Sequence, residues 1–386
     1  MKAKTYLKSF RVENFKAIED SKVVKLTPLT VLIGNNGSGK SSFIEGMETY
    51  RNIVVDGLDP AMGRFFGLQH VWNKRARHGV RGDGLLENPL RLAFAARVEG
   101  QTCRADMRVN AEAAFRGIRI EAETVDGPRG HVVRRDQNGK VRETSEGKEE
   151  RWRWALDPGE SVLAGALRNT VKAWQFLSMA PERMGAPHPR KLAANGTLTM
   201  NRDGSNLAQY LLSIRNKDAA VFDGIVESMK CVLDYAENFE PVETQEIQRE
   251  MFVRMRERDF DIPGWMLSTG TLRVVALLAV LRNPEPPPLL VVEEIENGLD
   301  PRTIHMVLEE IRTAVRLGTT QVIVATHSPY FLDLVPIETL VLVERKAGGD
   351  PVFCRPANRA DVREWAKGFA PGQLYTMGRL DTEAQS

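Results

Sequence analysis

One motif restricts the fold of this chain more than any other feature. Residues 34–41 read GNNGSGKS and fit GxxxxGK[ST]. They follow the short apolar run 29–33 and open a helical pattern that runs from Lys40 to about residue 50. Strand, glycine loop and helix in that order form a phosphate cradle. The glycines let backbone N–H groups curl around an anion, and the helix N-terminus adds positive potential. Lys40 is expected to reach the β- and γ-phosphates of a nucleotide, and Ser41 to ligate Mg²⁺. The nucleotide-binding set read here is Asn35, Asn36, Gly37, Ser38, Gly39, Lys40, Ser41 and Ser42.

A second apolar run, 289–292, ends in two carboxylates, Glu293 and Glu294. In parallel α/β sheets ligands sit at the carboxyl ends of strands. Neighbouring strand residues point to opposite faces, so the two acids need different tasks. Glu293 is expected to orient the magnesium through water, and Glu294 to polarise an attacking water.

Composition narrows the function. The 386 residues carry 53 Lys plus Arg against 51 Asp plus Glu, a net charge of +2. That excludes a chain that coats nucleic acid by charge alone. With 42% hydrophobic and 27% charged residues the chain is an ordinary globular protein, not a disordered one. Cys103, Cys231 and Cys354 form no CxxC pair, so a zinc ribbon is not expected and a reducing cytoplasm is. No secretory leader is read in 1–16, and the longest apolar run, 274–281, is too short to span a bilayer.

Strands are expected at 6–12, 22–26 and 29–33. Frequent Gly and Pro, with alternation at 90–98 and 118–124, suggest an inserted β-rich lobe over 57–159. Residues 136–150 read as a loop or exposed hairpin, and Trp152 and Trp154 as core. Leu207, Tyr210, Leu211 and Ile214 follow helical spacing after a cap at 203–205. Further helices are expected at 221–233, 271–282 and 303–317, with strands at 248–258, 289–292 and 322–325. No repeat and no heptad pattern is present, so long coiled-coil arms are not expected.

The order of motifs carries a resemblance. After the phosphate loop come Ser268, Gly270 and Arg273 in an LSxGxxR string, the two acids, and Asn297-Gly298-Leu299-Asp300. Thr326-His327-Ser328-Pro329 completes the set. Together with FRVENFK at 10–16 and DGSNL at 203–207, this resembles ABC-type ATPases of the RecF/SMC/OLD-like group, in the AAA-type branch. The likeness is specific in about 5–50 and 265–330 and weak in 55–200.

The resemblance implies an α/β P-loop NTPase of the ABC-ATPase head type, with an inserted β-rich lobe and a helical signature subdomain. The head would comprise 1–56 and 160–336, with the signature part at about 197–283. A C-terminal strand and tail would follow at 337–386. It implies ATP and Mg²⁺ as cofactors and adds Lys16 to the ATP-binding set. Catalysis falls to Lys40, Glu294 and His327, the last sensing the γ-phosphate. Two heads would close on two ATP molecules as a homodimer or higher oligomer. Ser268, Gly270 and Arg273 of one would face the γ-phosphate of the other, and Asn297 and Asp300 would cross the interface. Ile295 stands where the group commonly has proline, and Gln69 and Gln175 are equal candidates for the Q-loop glutamine. A fused Toprim nuclease is not expected, since Glu344 and Asp350 lack the spacing of its acids. The tail from 368 is expected to be partly disordered.

The output of such a switch has two readings. One is DNA maintenance or antiviral defence through nucleic acid. The other is an ATP-gated scaffold for a separate effector protein. Arg64, Lys74, Arg75, Arg77 and Arg81, with His70 and His78, form an acid-free tract interleaved with Phe65, Phe66 and Trp72. Arg254, Arg256 and Arg258 would share a strand face. Each set reads as a solvated surface or as a nucleic-acid contact.

Overall fold

A strand that is apolar on both faces needs a parallel neighbour and cover above and below. Leu29–Ile33 is such a strand, and all five residues are buried. In the computed structural model it pairs in parallel with Leu340–Arg345, which pairs antiparallel with Pro351–Cys354. The structure describes residues 5–76, 79–127, 130–145, 148–190, 198–244, 249–345 and 349–381. They fall into two units, Met1–Trp174 with His327–Ser386, and Gln175–Thr326.

In the first unit the phosphate-loop helix, Lys40–Asp56, runs past the expected end because Asn52, Ile53 and Val54 are also buried. Gly57 stops it at φ 90°. The helix packs on the first strand, Tyr6–Phe15, where Gly46 lets it approach: an added Cβ would lie 2.9 Å from Val12. Phe10 meets Phe43 and Tyr50 edge-on at 6.0 and 6.4 Å and stacks on Phe94 at 6.3 Å. Each such aromatic pair contributes about 0.5–1.5 kcal/mol beyond its buried area.

Phe94 belongs to Leu90–Val98, which pairs along Tyr6–Phe15. Antiparallel neighbours continue from it through Gln101–Glu112, Arg116–Asp126, Val132–Arg135, Lys140–Ser145 and Lys148–Ala155. With Ile18–Asp20 and Val24–Lys25 they form one nine-stranded sheet. The segment 57–159, expected as a β-rich lobe, supplies six strands from Leu90–Val98 to Lys148–Ala155. Its strands extend the sheet begun by the first strand, because Leu92 and Phe94 complete the same core. Of the two readings of 136–150 the hairpin holds, since Lys140–Ser145 pairs antiparallel with Lys148–Ala155. The side chains of Trp152 and Trp154 lie outside the described set. The tail from 368 is also structured as far as 381: Pro371–Thr376 is a helix, and Leu374 and Leu380 are buried.

Glu123, on Arg116–Asp126, is buried and accepts hydrogen bonds from the Ser161 hydroxyl (2.7 Å) and the Val162 N–H (2.8 Å). Burial pushes its pKa from 4.5 up to about 7, against those hydrogen bonds. The fold thus retains a proton that the unfolded chain releases, so this contribution is full below 4.5 and is lost as pH rises through 7. Urea midpoints of Glu123→Gln are expected to vary less than wild type between about pH 5 and 7.5. An unchanged slope would assign the effect to other groups.

In the second unit Gln175–Leu177, Leu289–Glu293 and Gln321–Thr326 pair in parallel. Around them stand the helices Leu207–Lys217, Ala219–Val232, Thr269–Leu281 and Pro301–Leu317. Within the signature part the strand expected at 248–258 is present as Glu250–Glu257. His188–Pro189, Asn238–Glu243, Glu250–Glu257 and Phe260–Pro263 form a four-stranded sheet. Among the described residues no helix is long and apolar enough to cross a membrane.

Candidate functional site

The phosphate loop is shaped by contacts that exclude side chains. A Cβ on Gly34 would lie 2.1 Å from the Val343 carbonyl. Gly39 has φ 113°, and its Cβ would meet Pro351 at 2.7 Å. Both positions therefore require glycine. Asn35, Asn36, Gly37 and Ser41 are exposed, whereas Ser38 is buried with its hydroxyl unpartnered. Lys40 turns back over the loop and donates to the Gly34 carbonyl at 2.5 Å and the Asn35 carbonyl at 3.0 Å. A cradle closed by an ammonium group and open at its exposed turn fits a polyphosphate.

One residue of the C-terminal segment reaches this loop. Tyr375 donates its hydroxyl to Asn35 Oδ1 at 3.0 Å. Its helix is held to Pro329–Asp333 by Gly372, whose N–H donates to Asp333 Oδ1 at 2.7 Å. That helix starts at Ser328, next to the exposed His327. Tyr375→Phe is expected to weaken nucleotide binding about threefold to tenfold at unchanged melting temperature. Equal affinity in a fluorescent-nucleotide titration would reduce Tyr375 to a packing role. Lys16 is held by Glu45 at 2.6 Å and lies 4.6 Å from the Phe65 ring centroid.

The second unit gathers the remaining expected residues. Glu293 ends its strand and pairs with Arg202 at 2.6 Å. Glu294 follows in the left-handed region at φ 51°, a strained position for a non-glycine residue. Its N–H donates to the Ala325 carbonyl at 2.8 Å, and its carboxylate accepts from Asn297 at 2.5 Å. Arg273 donates to the carbonyls of Glu294 (3.3 Å) and Met179 (3.1 Å). Ser268 caps Thr269–Leu281 by accepting from the Thr271 N–H at 3.1 Å. Gly270 lets the 297–299 turn come close, since its Cβ would lie 2.3 Å from the Gly298 carbonyl. Asp300 caps Pro301–Leu317. The Thr303 hydroxyl, with the Thr303 and Arg302 N–H groups, holds the Asp300 carboxyl below its usual range despite some burial.

Among the described residues no group of three or more His, Cys, Asp or Glu could hold a metal. Mg²⁺ in phosphoryl-transfer sites is carried largely by substrate phosphates and water. Neither glutamine candidate is singled out. Gln175 is buried and donates to the Met200 carbonyl, and Gln69 donates to the Phe66 carbonyl. Tyr375 and Arg202 were not anticipated. Arg202 had a weak signal, lying beside the 203–207 motif, and Tyr375 had none.

Three arginines of the basic tract have carboxylate partners. Arg64 lies 3.7 Å from Glu48, Arg75 3.6 Å from Asp350, and Arg81 pairs with Asp83 and Glu121. Trp72 is buried, Phe65 packs on Phe15, and Phe66 is exposed. Arg77 and His78 lie outside the described residues. Arg254 pairs with Glu240 and Asp261, and Arg258 lies beyond the strand.

Residues 138–333 match the family model described as AAA domain, putative AbiEii toxin, Type IV TA system. Residues 6–52 match that of an AAA ATPase domain. An OLD nuclease of Thermus scotoductus (strain ATCC 700910 / SA-01) is 23% identical over 388 residues, covering 97% of this chain and 68% of the relative. A solved Smc head bound to the C-winged helix domain of ScpA superposes with a TM-score of 0.51 at 12% identity. That match covers 92% of this chain and 99% of the Smc chain. The SMC head domain from Thermotoga maritima gives 0.45 at 13% identity, covering 90% and 98%. The likeness to the ScpA-bound head is one of fold.

Proposed function

The chain belongs to the AAA domain family, among ATPases of the RecF/SMC/OLD-like kind, and on that premise we propose that it binds Mg-ATP, hydrolyses it and dimerises head to head on it. The observation that carries this reading is the glycine cradle with Lys40 folded onto its own loop carbonyls. Lys40 would exchange those carbonyls for phosphate oxygens, Ser41 would ligate Mg²⁺, and Glu293 would orient it through water. Glu294 accepts the proton of the attacking water, while Asn297 and Arg273 fix it in place. His327 senses the γ-phosphate. Ser268 and Gly270 present an exposed helix N-terminus to the γ-phosphate of a second copy.

The output we assign first is DNA maintenance or antiviral defence, in keeping with the OLD nuclease relative. A second reading, a switch that holds and releases an effector protein, is favoured by the ion pairs of Arg64, Arg75 and Arg81. Phe260, Trp265 and Met266, exposed at 57, 54 and 69%, also favour it. The neighbouring Smc head is itself bound to a protein, ScpA.

The test is phosphate release and light-scattering mass with and without Mg-ATP. ATP-dependent release and a doubled mass are expected. Protein that neither binds ATP nor releases phosphate would refute the reading.

A further inference from the structure

In the first unit, the turn after Tyr6–Phe15, the segment 70–75 and the end of Leu340–Arg345 border an open cavity of about 300 Å³. Lys16, His70, Lys74, Arg75 and Arg345 line it, with Trp72 among them, and no carboxylate and no phosphate-loop residue does. Its charge is only partly cancelled. Lys16 has Glu45 at 2.6 Å, and Arg75 has Asp350 at the longer distance of 3.6 Å. Lys74 and Arg345 have no carboxylate partner among the described residues, and Arg345 donates to the Gly349 carbonyl.

A second observation comes from Trp72. It is 2% exposed, and its indole N–H is buried with no acceptor. A buried donor left unpaired costs free energy that an incoming acceptor recovers. The backbone around it is already set. The Lys16 N–H donates to the Val71 carbonyl at 2.6 Å and the Asn73 N–H to the Asn14 carbonyl at 3.1 Å. Asn73 Oδ1 accepts from the N–H groups of Arg75 (2.8 Å) and Ala76 (3.3 Å). A ligand would therefore meet a pre-organised wall.

We propose that this cavity is a phosphoryl-binding site separate from the phosphate loop, taking a terminal phosphate group. The wall supplies ammonium and guanidinium donors, with the buried, unpaired Trp72 N–H beside them, and no carboxylate lines it. A phosphate monoester or diphosphate brings at least three strongly accepting oxygens and near-double charge, which matches that set. The phosphate can come from a mononucleotide or from the 5′ end of a nucleic acid. The inference does not depend on ATP binding at Lys40, and it assigns Lys16 to this cavity in place of the ATP-binding set that the resemblance implies.

The experiment is calorimetric titration of inorganic pyrophosphate into full-length Lys40→Ala protein, in which binding at the phosphate loop is weakened. One site is expected to remain. Adding Lys74→Ala and Arg345→Ala should weaken it at least tenfold, with the ligand-free melting temperature unchanged. Trp72→Phe, which keeps the ring and removes the donor, should weaken it about threefold to tenfold. No binding in Lys40→Ala, or binding indifferent to all three substitutions, would overturn the proposal. Competition identifies the source. Displacement by AMP supports the site with a nucleotide as ligand. Displacement by a 5′-phosphorylated oligonucleotide, but not its 5′-hydroxyl form, supports it with a nucleic-acid end. Equal displacement by both oligonucleotides indicates general polyanion binding and overturns it.

Discussion

Replacing Glu294 with Gln is expected to slow ATP hydrolysis by at least about a hundredfold, the usual loss when a general base is removed. Nucleotide binding should persist, because the substitution leaves the phosphate loop intact. The position is demanding. Glu294 is held at φ 51° by the Ala325 carbonyl, while Arg273 takes its carbonyl and Asn297 its carboxylate. Gln has nearly the same shape and can still accept from Asn297, so the local fold should survive while the proton acceptor is lost. The variant should then accumulate as an ATP-bound dimer in light scattering. Normal phosphate release by Glu294→Gln would move the base to another residue.

Lys40→Ala is expected to weaken ATP binding by roughly 10- to 100-fold, the scale of a charge-assisted hydrogen bond to phosphate. In the free protein the ammonium group bridges the carbonyls of Gly34 and Asn35. Asn35 lies on the exposed part of the loop, so water can replace that contact and stability should change by less than about 1 kcal/mol. A binding titration beside a melting curve separates the two effects. Full ATP affinity in Lys40→Ala protein would remove the loop from the nucleotide site.

The local elements were readable because their causes are local. The apolar run 29–33, the glycines after it and the helix they open depend on neighbouring residues. The same holds for the caps Ser268 and Asp300, whose partners lie within three positions. Helical spacing at Leu207, Tyr210, Leu211 and Ile214 marked a buried face, and all four are buried. The extent of the first sheet was less legible. Alternation in 90–98 and 118–124 marked strands, but it carries no information about which strand they pair with.

By itself the sequence determined a phosphate cradle, an acidic strand end and a capped signature helix, because each is specified by backbone conformation and spacing over a few residues. Only the tertiary structure decided what those parts touch. Tyr375 reaches Asn35 across 340 positions, and Arg202 reaches Glu293 across 91. The acids that neutralise Arg75 and Arg81 come from Asp350 and Glu121, outside the acid-free tract. Charge and hydrogen-bond partners act through space, so a basic run read along the chain became in part a set of ion pairs and in part a cavity wall. The distinction rests on where distant carboxylates land when the sheets pair.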